Sequence, residues 1–374
     1  MISGCSRRAP SSTTRCTHGA GRTSRERRLT RRRGRGEADE TDPREGAMYR
    51  RILSIAFAAS VSLVALPATT ADAGATAVPA LNHVYLIVGE NTDLSQITKT
   101  HAPFQVSWVK PNSAWLTNYW GISHYSTSNY IAMTSGQFLR CHQLDEKPAT
   151  CNQDVDNLFN QLTVKGVSWL EWNESMPQPC YLLNAGSSRT GNSYRPKHNP
   201  AVYYADIEGG NFSGATGSAF CGDHVITMGG TGFDDTSSFD TALANGDVPR
   251  FNYIVPNECE DGHDNCKPEG DPIRQFDDFL AREIPNIMHG QAWGTGDVIF
   301  VVYDEGQGGG PNQAKNFAGG HTVLAAIGDP IVPGLYGSFA NHYSLLRTLE
   351  DAFGISTHLG GADTAGTLGN IWAT

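Results

Sequence analysis

Several kinds of segment are missing from this 374-residue chain, and each absence removes a class of protein. Charged residues make up only 18%, and 41 Gly and 19 Pro are spread through the chain, which excludes a coiled coil but leaves a loop-rich globular protein. No internal repeat is present. No C-x-x-C pair occurs, so a cysteine-held zinc has little support. The G-x-S-x-G elbow of esterases is absent, as are the G-x-x-x-x-G-K-[ST] phosphate loop and H-E-x-x-H. After residue 73 no segment approaches the ~20 apolar residues of a membrane span. Basic residues are scarce where the body of the protein lies: residues 52–374 hold 14 Lys+Arg against 32 Asp+Glu. Phosphate-backbone contacts need Lys and Arg clusters, so this body is not a nucleic-acid binder.

The basic residues that do exist crowd into the start of the chain. Residues 1–51 contain 14 Arg, no Lys and 6 acids. Residues 1–47 have almost no aliphatic side chains and are expected to be a disordered leader upstream of a true start at Met48. From there the pattern is that of a secretory signal: Met48-Tyr49-Arg50-Arg51, a mostly apolar stretch from Ile52 to Leu66, and small residues ending in Ala71-Asp72-Ala73. Residues 48–73 are therefore read as a signal peptide and 74–374 as a single exported domain, extracellular or held at the cell surface. That domain keeps six cysteines, an even number that suits three disulfides in an oxidising compartment. Pairing of neighbours suggests 141–151, 180–221 and 259–266, one of 15 arrangements.

Short apolar runs rich in β-branched and aromatic residues mark buried strands at 83–88 (HVYLIV), 167–172, 251–255 (FNYIV), 297–303 (DVIFVVY) and 322–327 (TVLAAI). Helical spacing is read at 129–135, 155–162, 273–287 and 343–353. Residues 173–235 read as loop. Strands alternating with helices, and apolar on both faces, imply an α/β/α sandwich around a mostly parallel sheet. In such sheets ligands bind beyond the carboxyl ends of the strands.

Polar chemistry collects at those ends. Glu90 and Asn91 follow the first strand, Asp261 and His263 follow FNYIV, Asp304 and Glu305 follow DVIFVVY, and His342 opens the last helix. Oxygen and imidazole ligands on one edge suit one or two divalent cations. Alone, each residue is better read as a solvated loop acid or a helix cap; the four groups together on one edge favour the metal reading. The segment Ser123-His124-Tyr125-Ser126-Thr127-Ser128-Asn129-Tyr130 offers hydroxyl nucleophiles at a helix start, although the same letters serve as an ordinary N-cap. The loop from Gly306 to Gly310 is read as a flexible rim, and His321 as a further candidate beside it.

The set HVYLIVGEN, SHYSTSNYIAMTSG, PNECEDGHD, VVYDEG and NHYSLLRTLEDAFG, in this order across residues 83–354, resembles the phosphoesterase family of the alkaline-phosphatase-like superfamily. That family includes secreted bacterial acid phosphatases, phosphatidylinositol-3-phosphatase-like proteins and bacterial phospholipases C. The resemblance implies that Ser126 is the nucleophile, that Asn129 helps hold the phosphate and that Glu90, Asn91, Asp304 and Glu305 bind one metal. Asp261, His263 and His342 would form a second position, and His124 would protonate the leaving group or merely pack at the helix start. The family's H-P-S-x-P-N-Y lacks both prolines here, replaced by Tyr125 and Ser128, and Gly89 stands where an acid is common. The expected function is hydrolysis of small-molecule or lipid phosphate monoesters through a phosphoserine. Phosphodiester hydrolysis of the phospholipase C type is the alternative, followed by an inactive binding protein and a disulfide-stapled structural protein.

Overall fold

Among the described residues nine strands form one sheet: β1 (Val84–Gly89), β2 (Ala114–Trp120), β3 (Trp169–Asn173), β4 (Val225–Thr227), β5 (Phe251–Val255), β6 (Val298–Tyr303), β7 (His321–Ile327), β8 (Gly334–Tyr336) and β9 (Ala340–Asn341). These come from a computed structural model that describes residues 77–138, 145–308 and 319–373. The expected leader (1–47), the expected signal peptide (48–73) and Cys141 lie outside the described residues. Strand order is β4-β3-β5-β1-β6-β7-β2-β8, with β9 beside β2. β4, β3, β5, β1 and β6 run parallel. β7 is antiparallel to both β6 and β2. The carboxyl ends of β1, β2, β3, β5 and β6 therefore share one edge.

β1 shows why the sheet is covered on both sides. Its alternate residues Val84, Leu86 and Val88 enter one core, and Tyr85 and Ile87 enter the other, all fully buried. Five helices of eight or more residues are described: α1 (Ser126–Ser135), α2 (Leu158–Lys165), α3 (Ser237–Asn245), α4 (Pro272–His289) and α5 (His342–Ala352). α1, α2 and α5 supply Ile131, Phe159 and Leu345 to the first core. α3 and α4 supply Phe239, Phe276 and Ile284 to the second. Each such side chain, moved from water into the core, contributes about 1.5–3 kcal/mol. The layers are those of the expected α/β/α sandwich. Among the described residues no helix is long and apolar enough to cross a membrane.

Local sequence sets the helix ends. Asn157 accepts the Asn160 N–H at 3.0 Å, so α2 begins three residues later than its apolar spacing suggests. α1 begins at Ser126, ahead of the apolar positions, and stops at Gly136, whose φ of 64° ends the helix in the left-handed region. All ten of its residues are buried. Strand β2 was not anticipated from the sequence, and the TVLAAI strand runs antiparallel to its neighbours. Two of the suggested disulfides are present, Cys180–Cys221 and Cys259–Cys266, and Cys151 is also disulfide-bonded.

Candidate active site

The carboxyl ends of β1 and β6 each release an acid into the same buried volume. Gly89, the last residue of β1, lets the Phe276 ring pack against the strand, because a Cβ there would drive into that ring. The next residue, Glu90, is fully buried, and its Oε2 accepts the Ser126 hydroxyl at 2.9 Å and the Asn91 side-chain amide at 3.2 Å. Asn91 takes a positive φ of 43°, a conformation asparagine tolerates, and its N–H reaches Asp304 Oδ1 at 3.1 Å. Asp304 also accepts the Glu305 N–H at 2.6 Å. Four of the expected ligands and the expected nucleophile are thus in one hydrogen-bonded group.

Ser126 opens α1, where the helix dipole favours an anion. Tyr125 just before it has φ 83° and ψ 112°, a conformation costing a bulky residue about 1–3 kcal/mol. On the other side, His124 Nδ1 lies 2.7 Å from Glu305 Oε2. The hydrogen bond to Glu305 raises the His124 pKa despite partial burial, and the Gly308 carbonyl adds to this. Asn129 has a different setting from the one its motif suggests. Its Oδ1 accepts the N–H groups of Ile122 and Ser123, each at 3.0 Å, and its Nδ2 donates to the Ser123 carbonyl at 2.8 Å. Three of its four hydrogen-bonding positions brace the turn that leads to His124.

The third group follows β5. Asp261 is buried, and its Oδ1 accepts the His263 N–H at 2.8 Å. His263 Nδ1 pairs with Asp264 at 2.8 Å and its Nε2 with Lys197 Nζ at 2.9 Å. His342 does not join these residues. It is buried behind the site, with Nδ1 2.9 Å from the Tyr119 hydroxyl and Nε2 on the Asp304 backbone carbonyl. Burial lowers its pKa to about 4, so it stays neutral. His321 packs flat on Trp120 and bonds the Thr117 carbonyl at 2.8 Å. The described start of the Gly-rich rim is tied down by Asp93, which accepts the Gln307 N–H at 3.0 Å.

Sequence reasoning missed Lys197 and His198. Both come from the 173–235 stretch, in Arg195-Pro196-Lys197-His198-Asn199-Pro200. His198 is buried, stacked on the Tyr130 ring, with Nε2 3.2 Å from Glu90 Oε1 and Nδ1 3.0 Å from Asp261 Oδ2. It links two groups that the sequence had placed on separate strands. The signal was a histidine and a lysine held between two prolines, in a segment without periodicity. Lys197 also faces Glu258 at 3.6 Å and Asp145 at 3.7 Å. Burial alone would lower its pKa, but Glu90, Asp145 and Glu258 hold it up.

The electrostatics of this volume call for added positive charge. Burial first, and then mutual repulsion, pushes Glu90, Asp304 and Asp261 well above the usual carboxylate range. Burial and the neighbouring Lys197 lower the pKa of His198, and a neutral imidazole donates from one nitrogen only, although both face carboxylate oxygens. Glu90 Oε1, Asp261 Oδ2, Asp304 Oδ2 and His198 Nε2 are all buried without a hydrogen-bond partner. Ligand atoms of Glu90, His198 and His263 lie within 4.8 Å of one another. This donor set of hard oxygens and imidazole fits divalent cations.

The fold is similar to that of a solved protein of the alkaline phosphatase superfamily from Vibrio parahaemolyticus, with a TM-score of 0.50 over 78% of this chain and 73% of that one, at 12% identity. The model of the Phosphoesterase family matches residues 85–356, and the chain belongs to that family. It is 25% identical over 286 residues to a protein named probable acid phosphatase from Kluyveromyces lactis, covering 76% of this chain and 61% of that one. It is also 25% identical over 331 residues to a phosphatidylinositol-3-phosphatase from Mycobacterium tuberculosis, covering 87% of this chain and 95% of that one.

Proposed function

We propose that the chain is an exported, metal-dependent phosphomonoesterase that forms a phosphoserine on Ser126. The observation that supports this most is the Ser126 hydroxyl donating to the buried Glu90 carboxylate at 2.9 Å, at the start of α1. Bound divalent cations would neutralise phosphate charge and make the hydroxyl more acidic. Glu90, Asn91, Asp304 and Glu305 would hold one cation, and Asp261, His198 and His263 the other. The buried oxygen and nitrogen atoms named above, which no hydrogen bond satisfies, support that assignment. His342, with both nitrogens engaged, would steady Asp304 from behind.

In this reading the phosphate of the substrate sits at the positive end of α1. Ser126 Oγ attacks phosphorus, its proton passes to Glu90, and the bond to the leaving alcohol breaks in line with the attack. His124, hydrogen-bonded to Glu305, gives its proton to the departing oxygen. Water then attacks the phosphoserine, giving a proton to His124; the bond to Ser126 Oγ breaks, Oγ takes back the proton held by Glu90, and inorganic phosphate is freed. Asn129 keeps the 122–124 turn in place and has one amide hydrogen left for a phosphate oxygen. The names of the relatives, acid phosphatase and phosphatidylinositol-3-phosphatase, favour monoesters over diesters. Export is supported by the disulfides and the 48–73 pattern.

Assays of the purified protein on p-nitrophenyl phosphate and its bis(p-nitrophenyl) diester test the reading. Hydrolysis of the monoester, abolished by a chelator and restored by a divalent cation, is the expected result. Activity confined to the diester, or indifferent to chelation, would contradict it.

A further inference from the structure

We propose that the Tyr125 ring is the platform on which the leaving group stacks, making this chain selective for phosphate esters of planar, apolar alcohols. The inference rests on the phosphomonoesterase reading and extends it to the substrate. Its ground is a residue whose backbone and side chain pull in different directions. At φ 83° and ψ 112° the position favours glycine, yet it carries one of the largest side chains. The site dictates that backbone. The Tyr125 carbonyl accepts both the N–H and the hydroxyl of Ser128, at 3.2 and 2.7 Å. With that carbonyl held by the first turn of α1, the direction of Cβ is set.

The ring belongs to neither of the two hydrophobic cores described above. It is 49% exposed, while Ser126, Thr127, Ser128 and Asn129 beside it are buried. Among the described residues no aromatic ring or cation stacks on it. A strained backbone holding an exposed, unstacked aromatic next to a nucleophile points to a ligand as the missing partner. The site's layout says which part of the ligand. Glu90, Asp261 and Asp304 fill the buried side of Ser126, so the alcohol must leave toward solvent. Among the described residues, Tyr125 and His124, whose side chain is 42% exposed, are the two directly before Ser126 that reach solvent. His124 can serve the leaving oxygen while the ring supports the group attached to it. Stacking of aromatic faces is worth roughly two- to twelvefold in affinity beyond the area buried.

The experiment measures dissociation constants of phenylphosphonate and methylphosphonate, neither of which turns over, by calorimetry on the purified, cation-loaded protein. Wild type is expected to bind phenylphosphonate at least threefold tighter, on the order of a stacking contact. Tyr125→Ala should bring the ratio close to one, and Tyr125→Phe should keep it. Tyr125→Gly removes ring and strain together, so it should also lose the preference while melting no lower than wild type. A ratio near one in wild type, a ratio that survives in Tyr125→Ala, or a marked drop in the melting temperature of Tyr125→Gly would each overturn the proposal. Hydrolysis of p-nitrophenyl phosphate by wild type is scored separately, so loss of the platform and loss of the phosphatase reading give different results.

Discussion

Glu171 offers a prediction whose size can be worked from the structure. It lies fully buried in β3, with Oε2 accepting the Ala201 N–H at 3.1 Å and Oε1 facing the Asn173 side-chain amide at 3.2 Å. Ala201 closes the turn that carries Lys197 and His198, so this carboxyl ties that part of the site to the sheet. Burial pushes its pKa up from 4.5 to about 8, and the two N–H contacts only partly counter the rise. An unfolded chain loses this proton near the ordinary value, and the folded chain keeps it until about 8. Between those values the folded state binds the extra proton, so stability falls as pH rises through the window. At about 1.4 kcal/mol per pKa unit, the loss by about pH 9 approaches 4–5 kcal/mol as an upper figure. Glu171→Gln keeps the shape and cannot ionise. Denaturant unfolding of both proteins at about pH 5, 7 and 9 reads the effect. The two should agree within about 1 kcal/mol at the acid end, and the variant should become the more stable by several kcal/mol at the alkaline end. A gap that does not change with pH would refute the reasoning.

His198→Ala should weaken binding of a divalent cation by at least about tenfold in a direct metal titration, and activity should fall with it, because the ring joins Glu90 to Asp261; unchanged affinity would remove His198 from the site. Gly89→Ala should lower stability by about 1–3 kcal/mol in denaturant melts, since the new methyl group must displace the Phe276 ring of α4. A variant as stable as wild type would show that the ring yields freely.

Much of this arrangement was legible because the central strands are continuous apolar runs with abrupt polar ends. HVYLIV, FNYIV and DVIFVVY announced themselves, and so did the acids after them, which is why Glu90, Asp261, Asp304 and Glu305 could be placed on one edge. β2 was not readable, since Thr117 and Asn118 interrupt its apolar pattern on the antiparallel side of the sheet. His198 was hidden for a different reason. The 195–200 turn is shaped by tertiary contacts, the Glu171 carboxyl and the Tyr130 ring, and no local period foretells them. The same limit applies to Asn129 and His342, which a motif can place near the site without showing which atoms they engage. Gly89 departs from the family's usual acid for a plain steric reason, the Phe276 ring.

Trapping the phosphorylated protein tests the central claim most directly. The protein is quenched in acid while turning over a phosphate monoester, digested, and its peptides are weighed by mass spectrometry. One added phosphoryl group on the peptide that contains Ser126, absent from Ser126→Ala along with turnover, is the predicted result. A label on another residue, or full turnover by Ser126→Ala, would contradict the account.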